Sequence, residues 1–359
     1  MFIKKIVVGA ALALALSAGT SVAQEFEVKV SYNQPETSPA WQEVFQAYAD
    51  ELEELSNGRI EAETYPGGVL HPVGDGFKAL ISGVTDATAA YPIYMASSFN
   101  LIHANELPHA LPDSDIAATR VVNEMYPDYY MDEYERVGVY LGFYAVTPSY
   151  DILSRKPISS VDDLKGMKIR AAGGTMSEIV ERLGAVPVTM TITDTYSAFQ
   201  QGVLDAVLLS TADLGAYNLD EIGKYNYRIG IGRVAIPTGF NKALYDSMPE
   251  DLQEVVAVAG RHAAMNYAKM YTKLTEDALA GMNEEGVEII EPSEADLARI
   301  DELLAPIYAA FIEKNASMQD PTAEETLAQL EQLTEKYGAM SDEDILALDE
   351  EQPVTGAFH

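Results

Sequence analysis

The sequence predicts an α/β protein with two domains that share one long helix. Short apolar strand patterns alternate with amphipathic helix patterns along the chain, which is typical of mostly parallel sheets covered by helices. The 359 residues are enough for about two domains. A helical pattern that opens with a capping box at 247–250 continues to about Gly286, so this helix is long enough to contact both domains.

The first unit reads as β-α-β-α-β. Val28 and Val30 alternate on one face of a strand, and the helix that follows begins at Ser38-Pro39 and stops at Asn57-Gly58. Alternation of this kind with short connections predicts a mostly parallel sheet. The later elements of this unit are a strand at 59–65, a short helix around Leu80 and a strand at 84–91.

The second unit begins near residue 149 and repeats the same alternation. No low-complexity linker separates the units, so we expect the chain to cross between them through hinge strands. A helix is predicted from Ser293 and another at 324–337. The elements predicted before the long helix are strands at 168–171, 186–190, 206–209, 225–232 and 234–240, with helices at 175–183 and 193–201.

The N-terminus is typical of a secretory signal. Lys4 and Lys5 precede a short apolar run, and Ser21-Val22-Ala23 is a small-residue cleavage site, so we expect residues 1–23 to be removed on export to the periplasm. The chain has no cysteine, so neither a lipid-anchoring cysteine nor a disulfide is expected. The net charge of −33 opposes nucleic acid and also opposes an anionic ligand unless local cations overcome it.

The sequence offers little that would support an enzyme or a cofactor. There is no thiol nucleophile, no phosphate-binding glycine loop and no histidine pair at metal-ligand spacing. His103 and His109 are interpreted as residues of a surface loop. A secreted α/β hydrolase would need Asp213 or Asp194 beside Ser210, and we expect no such activity. We therefore predict a protein that is not an enzyme, with no cofactor and no metal.

Arg170 is the leading candidate for ligand binding. It ends a short apolar strand and precedes Gly173-Gly174 and a helix, where a side chain of an α/β sheet faces the ligand crevice. A guanidinium binds a carboxylate through two parallel hydrogen bonds. The alternative is a surface salt bridge in this acidic protein. Tyr91, Tyr94 and Tyr150 also fall near predicted strand ends, where each offers a flat apolar wall and a hydroxyl.

Several runs resemble those of one family. The run SSVDDLKGMKIR at 159–170 is the most specific, and GAVPV at 184–188, YSAFQQGVLD at 196–205 and MPEDLQ at 248–253 support it. Together they resemble the extracytoplasmic substrate-binding proteins of tripartite ATP-independent periplasmic (TRAP) transporters, the C4-dicarboxylate-binding-protein-like family. The resemblance covers about 28–337, nearly all of the exported chain.

The resemblance implies a two-domain periplasmic-binding-protein fold whose cleft closes on an organic acid, with the carboxylate at Arg170. It implies delivery of the ligand to TRAP permease membrane subunits. We expect a monomer. The expected boundaries are 24–148 with 236–270 for domain I, 149–235 with 271–320 for domain II, and 321–359 for a C-terminal helix and tail.

Carried over position by position, the resemblance also implies which residues contact the ligand. Asn33 falls where some members have a polar ligand contact after the first strand, and Leu209 or Ser210 falls near a position that is often asparagine. Tyr91 and Tyr150 replace a glutamate and a second arginine of the sialic-acid binders. The full set of candidate substrate-binding residues is Arg170, Asn33, Tyr91, Tyr94, Tyr150, Ser210, Asp213 and Phe240.

These departures favour a monocarboxylate or sulfonate with an apolar or aromatic body over a sugar acid. A C4-dicarboxylate stays open, because it is the commonest description for the family. A periplasmic module that senses the ligand and reports to a receptor instead of a permease is the alternative function.

Overall fold

The computed structural model describes residues 24–354 except 283 and 285. The predicted signal peptide and the last five residues of the predicted C-terminal tail lie outside this part. The described chain is a mixed α/β protein with two sheets, as the sequence predicts. No helix in the described part is long and apolar enough to cross a membrane.

The strands of the described chain alternate with helices over much of its length. In chain order they are β1 (Phe26–Ser31), β2 (Ile60–Tyr65), β3 (Ala87–Ala89), β4 (Val139–Val146), β5 (Tyr150–Ser154), β6 (Lys168–Ala171), β7 (Val186–Thr189), β8 (Ala206–Ser210), β9 (Tyr225–Ile231), β10 (Ala235–Asn241) and β11 (Glu288–Ile290).

The α-helices cover the sheets and form the C-terminal segment. In chain order they are α1 (Gln46–Leu55), α2 (Gly76–Ile81), α3 (Asp115–Met125), α4 (Met131–Arg136), α5 (Gly174–Arg182), α6 (Ile192–Gln200), α7 (Lys242–Ser247), α8 (Glu250–Gly281), α9 (Glu294–Leu304), α10 (Pro306–Lys314), α11 (Ala323–Gly338) and α12 (Asp342–Glu351).

Shorter helical turns connect these elements. Two are π-helical, Ala40–Phe45 and Tyr126–Tyr130. The others are 3₁₀ turns at Val73–Asp75, Pro92–Met95, Leu101–Glu106, Val161–Leu164, Thr211–Asp213, Gly215–Tyr217 and Leu219–Glu221.

Each sheet combines consecutive strands with one later strand. The first sheet contains β1 to β4 and β10, and the second contains β5 to β9 and β11. The first sheet has the order β2-β1-β3-β10-β4, with β1 parallel to β2 and β3, and with β10 antiparallel to β3 and β4. The second has the order β11-β9-β5-β8-β6-β7, in which β6, β7 and β8 are parallel and β5 is antiparallel to β8. The chain crosses between the sheets three times, from β4 to β5, from β9 to β10, and from β10 to β11 through α7 and α8.

Helix α8 braces both sheets. Its 32 residues span about 48 Å at 1.5 Å per residue, and it packs on β4 and α1 at one side and on the turn Thr211–Asp213 at the other. The predicted capping box at 247–250 is wrong. Ser247 Oγ donates to the carbonyl of Leu244 within α7, and α8 begins after Pro249, whose side chain cannot cap. At the C-terminus, α11 and α12 pack along α3.

Candidate functional site

A cavity of about 50 Å³ lies between the two sheets. It is named here the cleft cavity. The chain reaches it from strand ends, from the β4–β5 and β9–β10 crossings and from helix α8. The residues that line it are Tyr32, Gln34, Tyr91, Ile93, Tyr94, Thr147, Tyr150, Arg170, Ala172, Ile192, Leu209, Asp213, Tyr217, Val234, Ile236 and Tyr271.

Arg170 is the cation of the cleft cavity. It lies near the end of β6, paired with Val188 of β7 and Val207 of β8, so both neighbouring strands hold its backbone. Its side chain is only 2% exposed, which is contrary to a surface salt bridge. Its Nε donates to the carbonyl of Met190 at 3.3 Å. Within the described residues, no carboxylate oxygen lies within 4.0 Å of its guanidinium.

An arrangement of this kind is costly for the protein alone. Removing a charge from water costs several kcal/mol unless an opposite charge and hydrogen bonds compensate it. One carbonyl oxygen satisfies one of the five N–H groups of Arg170 and supplies no negative charge. The guanidinium of Arg170 is thus buried at the cleft cavity without a compensating negative charge within 4.0 Å in the described chain.

Asp213 is the carboxyl group of the same cavity. It ends the turn that follows β8, where Ser210 Oγ donates to its Oδ2 at 2.5 Å and the Tyr271 hydroxyl donates to its Oδ1 at 3.4 Å. Burial raises the pKa of Asp213 to about 6, while these two hydroxyl groups and Arg170 oppose the rise. The carboxyl group thus changes its charge near neutral pH.

Tyrosine rings form much of the remaining wall. The rings of Tyr91 and Tyr94 lie 5.6 Å apart at 59°, and the Tyr217 hydroxyl accepts a hydrogen bond from Gln34 Nε2 at 3.2 Å. Burial raises the pKa of Tyr94, and the neighbouring Arg170 works against that rise. These tyrosines stay neutral at physiological pH and offer ring faces and hydroxyl groups to a ligand.

The structure brings together five of the eight predicted contact residues. Arg170, Tyr91, Tyr94, Tyr150 and Asp213 all line the cleft cavity. Tyr150 begins β5 instead of following a strand. It still reaches the site because β5 is antiparallel to β8, so its first residue pairs with Ser210 at the last position of β8.

Phe240 is not among the residues that line the cleft cavity. It lies near the end of β10, but β10 is antiparallel to β3, so Phe240 pairs with Ala87 at the start of β3. Its ring is fully buried in the core beside the first sheet, where it meets Tyr245 edge-on at 6.2 Å.

Asn33 and Ser210 are also absent from the lining residues. The amide atoms of Asn33 are buried without a hydrogen-bond partner in the described chain, while Gln34 reaches the cavity instead. Ser210 is fully buried and supports Asp213 from behind. Its hydroxyl is out of reach of a substrate, so the geometry does not favour the hydrolase hypothesis.

Sequence reasoning missed several lining residues. Gln34 and Thr147 lie in connections, where strand alternation no longer predicts direction, and Ile192 is the first residue of α6. Tyr217 lies in a 3₁₀ turn, and Tyr271 lies on α8. The one available signal was the excess of tyrosine, with 21 in the chain.

A larger space adjoins the cleft cavity. This second chamber has a volume of about 480 Å³ and shares Gln34, Asp213 and Tyr271 with the cleft cavity. Its apolar surface includes Met270 and Leu274 of α8. The other charged residues that line it are Asp220 and Asp277.

Comparison with known proteins identifies related sequences. The family model described as bacterial extracellular solute-binding protein, family 7, matches residues 30–315. The C4-dicarboxylate-binding periplasmic protein DctP of Rhodobacter capsulatus is 25% identical over 313 residues, which cover 85% of this chain and 91% of that protein.

Solved structures share the fold. A TRAP solute-binding protein from Rhodoferax ferrireducens, in complex with copurified benzoate, superposes with a TM-score of 0.80 at 19% identity, covering 87% of this chain and 98% of that one. A sugar-acid-binding protein from Advenella mimigardefordensis, in complex with galactonate, gives 0.78 at 21% identity, covering 88% and 99%. These structures have two domains, in agreement with the two sheets found here.

Proposed function

Because the chain belongs to the bacterial extracellular solute-binding proteins of family 7, the substrate-binding proteins of TRAP transporters, we propose that it captures a small organic acid through Arg170. The family binds small acid ligands and is not a family of enzymes. Delivery to a TRAP-type permease, capture in the periplasm, and the role of each contact residue are parts of this proposal.

The buried guanidinium of Arg170 is the observation that carries the proposal. It lines the cleft cavity, and no carboxylate of the described chain pairs with it. A hydrogen bond to a charged group contributes about 1.5–3 kcal/mol, so two such bonds supply about half of the ~8 kcal/mol behind micromolar binding. The ligand carboxylate then supplies the negative charge that Arg170 lacks in the described chain.

The residues that line the cleft cavity support a monocarboxylate or sulfonate with an apolar or aromatic body as the ligand. Arg170 is the only cation among the lining residues, whereas a dicarboxylate needs a partner for each of its charges. Tyr91, Tyr94 and Tyr150 offer flat faces suited to a ring. The Rhodoferax protein of the same fold was solved with benzoate, which is a ligand of this class. Galactonate in the Advenella relative makes sugar acids the comparison class to test.

Closure of the two lobes follows from the size and position of the cavity. Its volume of about 50 Å³ is well below the roughly 300–1,000 Å³ of most ligand sites, so a ligand enters only when the lobes separate. Arg170 belongs to the second sheet and Tyr91 follows β3 of the first. A ligand that touches both prefers the closed state and shifts the population towards it.

We also propose the domain boundaries expected from the sequence. Strands β1 to β4 fall within 24–148, and β10 falls at the start of 236–270 apart from its first residue. Strands β5 to β9 fall within 149–235, and β11 falls within 271–320. The packing of α11 and α12 on α3 supports a C-terminal segment that belongs structurally with domain I.

Isothermal titration calorimetry on an Arg170→Met variant tests the clamp. A thermal-shift screen of monocarboxylates, dicarboxylates, sulfonates, sugar acids and aromatic acids first selects the ligand. We expect the variant to bind it about 1,000-fold more weakly, because it loses two charged hydrogen bonds that together supply about 4 kcal/mol. Arg182→Ala is the matched control, because Arg182 is exposed on α5 and pairs with Glu178. Wild-type affinity in Arg170→Met would contradict the proposal.

A further inference from the structure

The cleft cavity carries one charge of each sign. Arg170 and Asp213 are the charged residues among its lining side chains, and every other lining residue is uncharged. We infer that the ligand is a zwitterion, with its carboxylate at Arg170 and a positively charged nitrogen at Asp213 between tyrosine rings. This inference rests on the proposed function and names the ligand class for the same site.

The two opposite charges of the cavity are the first reason to expect a zwitterion. A plain monocarboxylate compensates Arg170 but brings its negative charge into the cavity that holds Asp213. A zwitterion compensates both groups, because each of its charges meets the opposite one in a site with little water. Within the described chain, no basic side chain lies within 4.0 Å of the Asp213 carboxylate, which accepts only from the hydroxyls of Ser210 and Tyr271.

The surroundings of Asp213 also favour a cation. Tyr150, Tyr217 and Tyr271 line the same cavity, and the face of an aromatic ring attracts an ammonium group. The second chamber, on the other side of Asp213, is lined by Asp220 and Asp277 and by no basic residue, although Lys273 pairs with Asp277 at 2.7 Å. The net charge of −33 opposes a ligand that carries only negative charge and leaves a neutral zwitterion unaffected.

The sign of the pH dependence separates the two ligand classes. The titratable groups that face Asp213 are Arg170, Tyr150, Tyr217, Tyr267 and Tyr271. Burial raises the pKa of each of these tyrosines, so they keep their protons below pH 8, and Asp213 is the group of this set that titrates there. A zwitterion needs the ionised carboxylate and binds more tightly as the pH rises through about 6, whereas a plain acid binds less tightly.

Matched ligand triplets test the inference by calorimetry. Each triplet has one carbon skeleton: an ω-aminoalkanoate of four to eight carbons, the alkanoate and the dicarboxylate, together with 3-(aminomethyl)benzoate, 3-methylbenzoate and benzene-1,3-dicarboxylate. We expect the best zwitterion to bind about tenfold more tightly than its monoacid partner, with the dicarboxylate weakest. We expect Asp213→Asn to remove this preference, because the zwitterion loses its partner and the monoacid no longer meets a negative charge and binds more tightly. Asp194→Asn, an exposed carboxylate on α6, is the matched control.

The outcomes distinguish the inference from the proposed function. Monoacids that bind through Arg170 as tightly as their zwitterionic partners would overturn the zwitterion and leave the carboxylate clamp intact. Binding that Arg170→Met leaves unchanged would overturn the clamp itself. If Asp213→Asn does not fold, zwitterion affinity of the wild-type protein is measured between pH 5 and 7.5, and its pH dependence tests the inference. Zwitterion affinity that falls as the pH rises would contradict the inference.

Discussion

Two buried arginines of this protein have opposite surroundings. Arg233, 4% exposed, lies where the chain crosses from β9 to β10, and its Nη1 donates to Asp115 Oδ1 at 2.6 Å and to the carbonyl of Thr147 at 2.9 Å. Its Nη2 donates to the carbonyl of Asp113. Arg170, 2% exposed, has one carbonyl and no carboxylate within 4.0 Å in the described chain.

The difference teaches how a fold separates structural from functional charge. The guanidinium of Arg233 is compensated by the protein itself, so it stabilises one arrangement of the crossing strands. The guanidinium of Arg170 is buried to a similar degree but has no carboxylate partner in the described chain, and in the proposed function a ligand supplies it. Burial alone therefore does not mark a candidate binding residue, whereas burial without an ionic partner does.

The largest expected effect is on the structural arginine. Arg233→Met leaves the Asp115 carboxylate buried without its partner, so we expect the free energy of unfolding to fall by about 3–5 kcal/mol. Urea unfolding measures this change. Arg182→Met, in an exposed pair, is the control and should change stability by less than about 0.5 kcal/mol. A loss as small as the control's would remove the contrast between the two arginines.

The second effect is a pH dependence that isolates Asp213. Its pKa is raised from 3.8 to about 6, so the folded state binds more protons than the unfolded state between these values. Proton binding to Asp213 stabilises the folded state fully below about pH 4, and this contribution to the free energy of unfolding is lost as the pH rises through 6. We expect about 2–3 kcal/mol over this window. The measurement is the stability difference between wild type and Asp213→Asn from pH 4 to 7.5. A constant difference would show that the Asp213 pKa is not raised.

The third effect has the opposite sign to the first. Replacing the uncompensated guanidinium by a thioether chain in Arg170→Met removes a buried charge, so we expect the ligand-free protein to gain about 1–2 kcal/mol of stability. Urea unfolding without ligand measures it. If Arg170→Met destabilises as much as Arg233→Met, the two arginines have the same structural role.

The smallest effect concerns the hydroxyl group of Tyr271. It donates to Asp213 at 3.4 Å and helps to keep the carboxylate ionised. We expect Tyr271→Phe to raise the pKa of Asp213 further, by less than one unit, since a long hydrogen bond contributes about 0.5–1 kcal/mol. An NMR titration of the carboxyl carbon measures the shift. An unchanged or lowered pKa would contradict the assigned donor.

The sequence predicts the fold and the central residue of the site well, and the outer residues poorly. Arg170 is predictable because it follows a run of strand pattern and precedes a Gly-Gly turn, so its edge of the sheet is fixed by local signals. The position of Phe240 outside the cleft cavity could not be predicted, because strand direction depends on which strands pair, and sequence periodicity does not contain that information. Tyr217 and Tyr271 come from a turn and a long helix whose orientation is set only by tertiary packing.

The β4–β5 and β9–β10 crossings are hydrogen-bonded to each other, and this has a mechanical consequence. Arg233 on one crossing donates to the carbonyl of Thr147 on the other, and Thr147 Oγ1 accepts from the amide of Val234. Two connections that are hydrogen-bonded side by side bend together and resist twisting. In the closure proposed above, this fastening would limit the lobes to rotation about a single axis, so the tyrosines of one lobe would meet the guanidinium of the other in the same alignment at each capture.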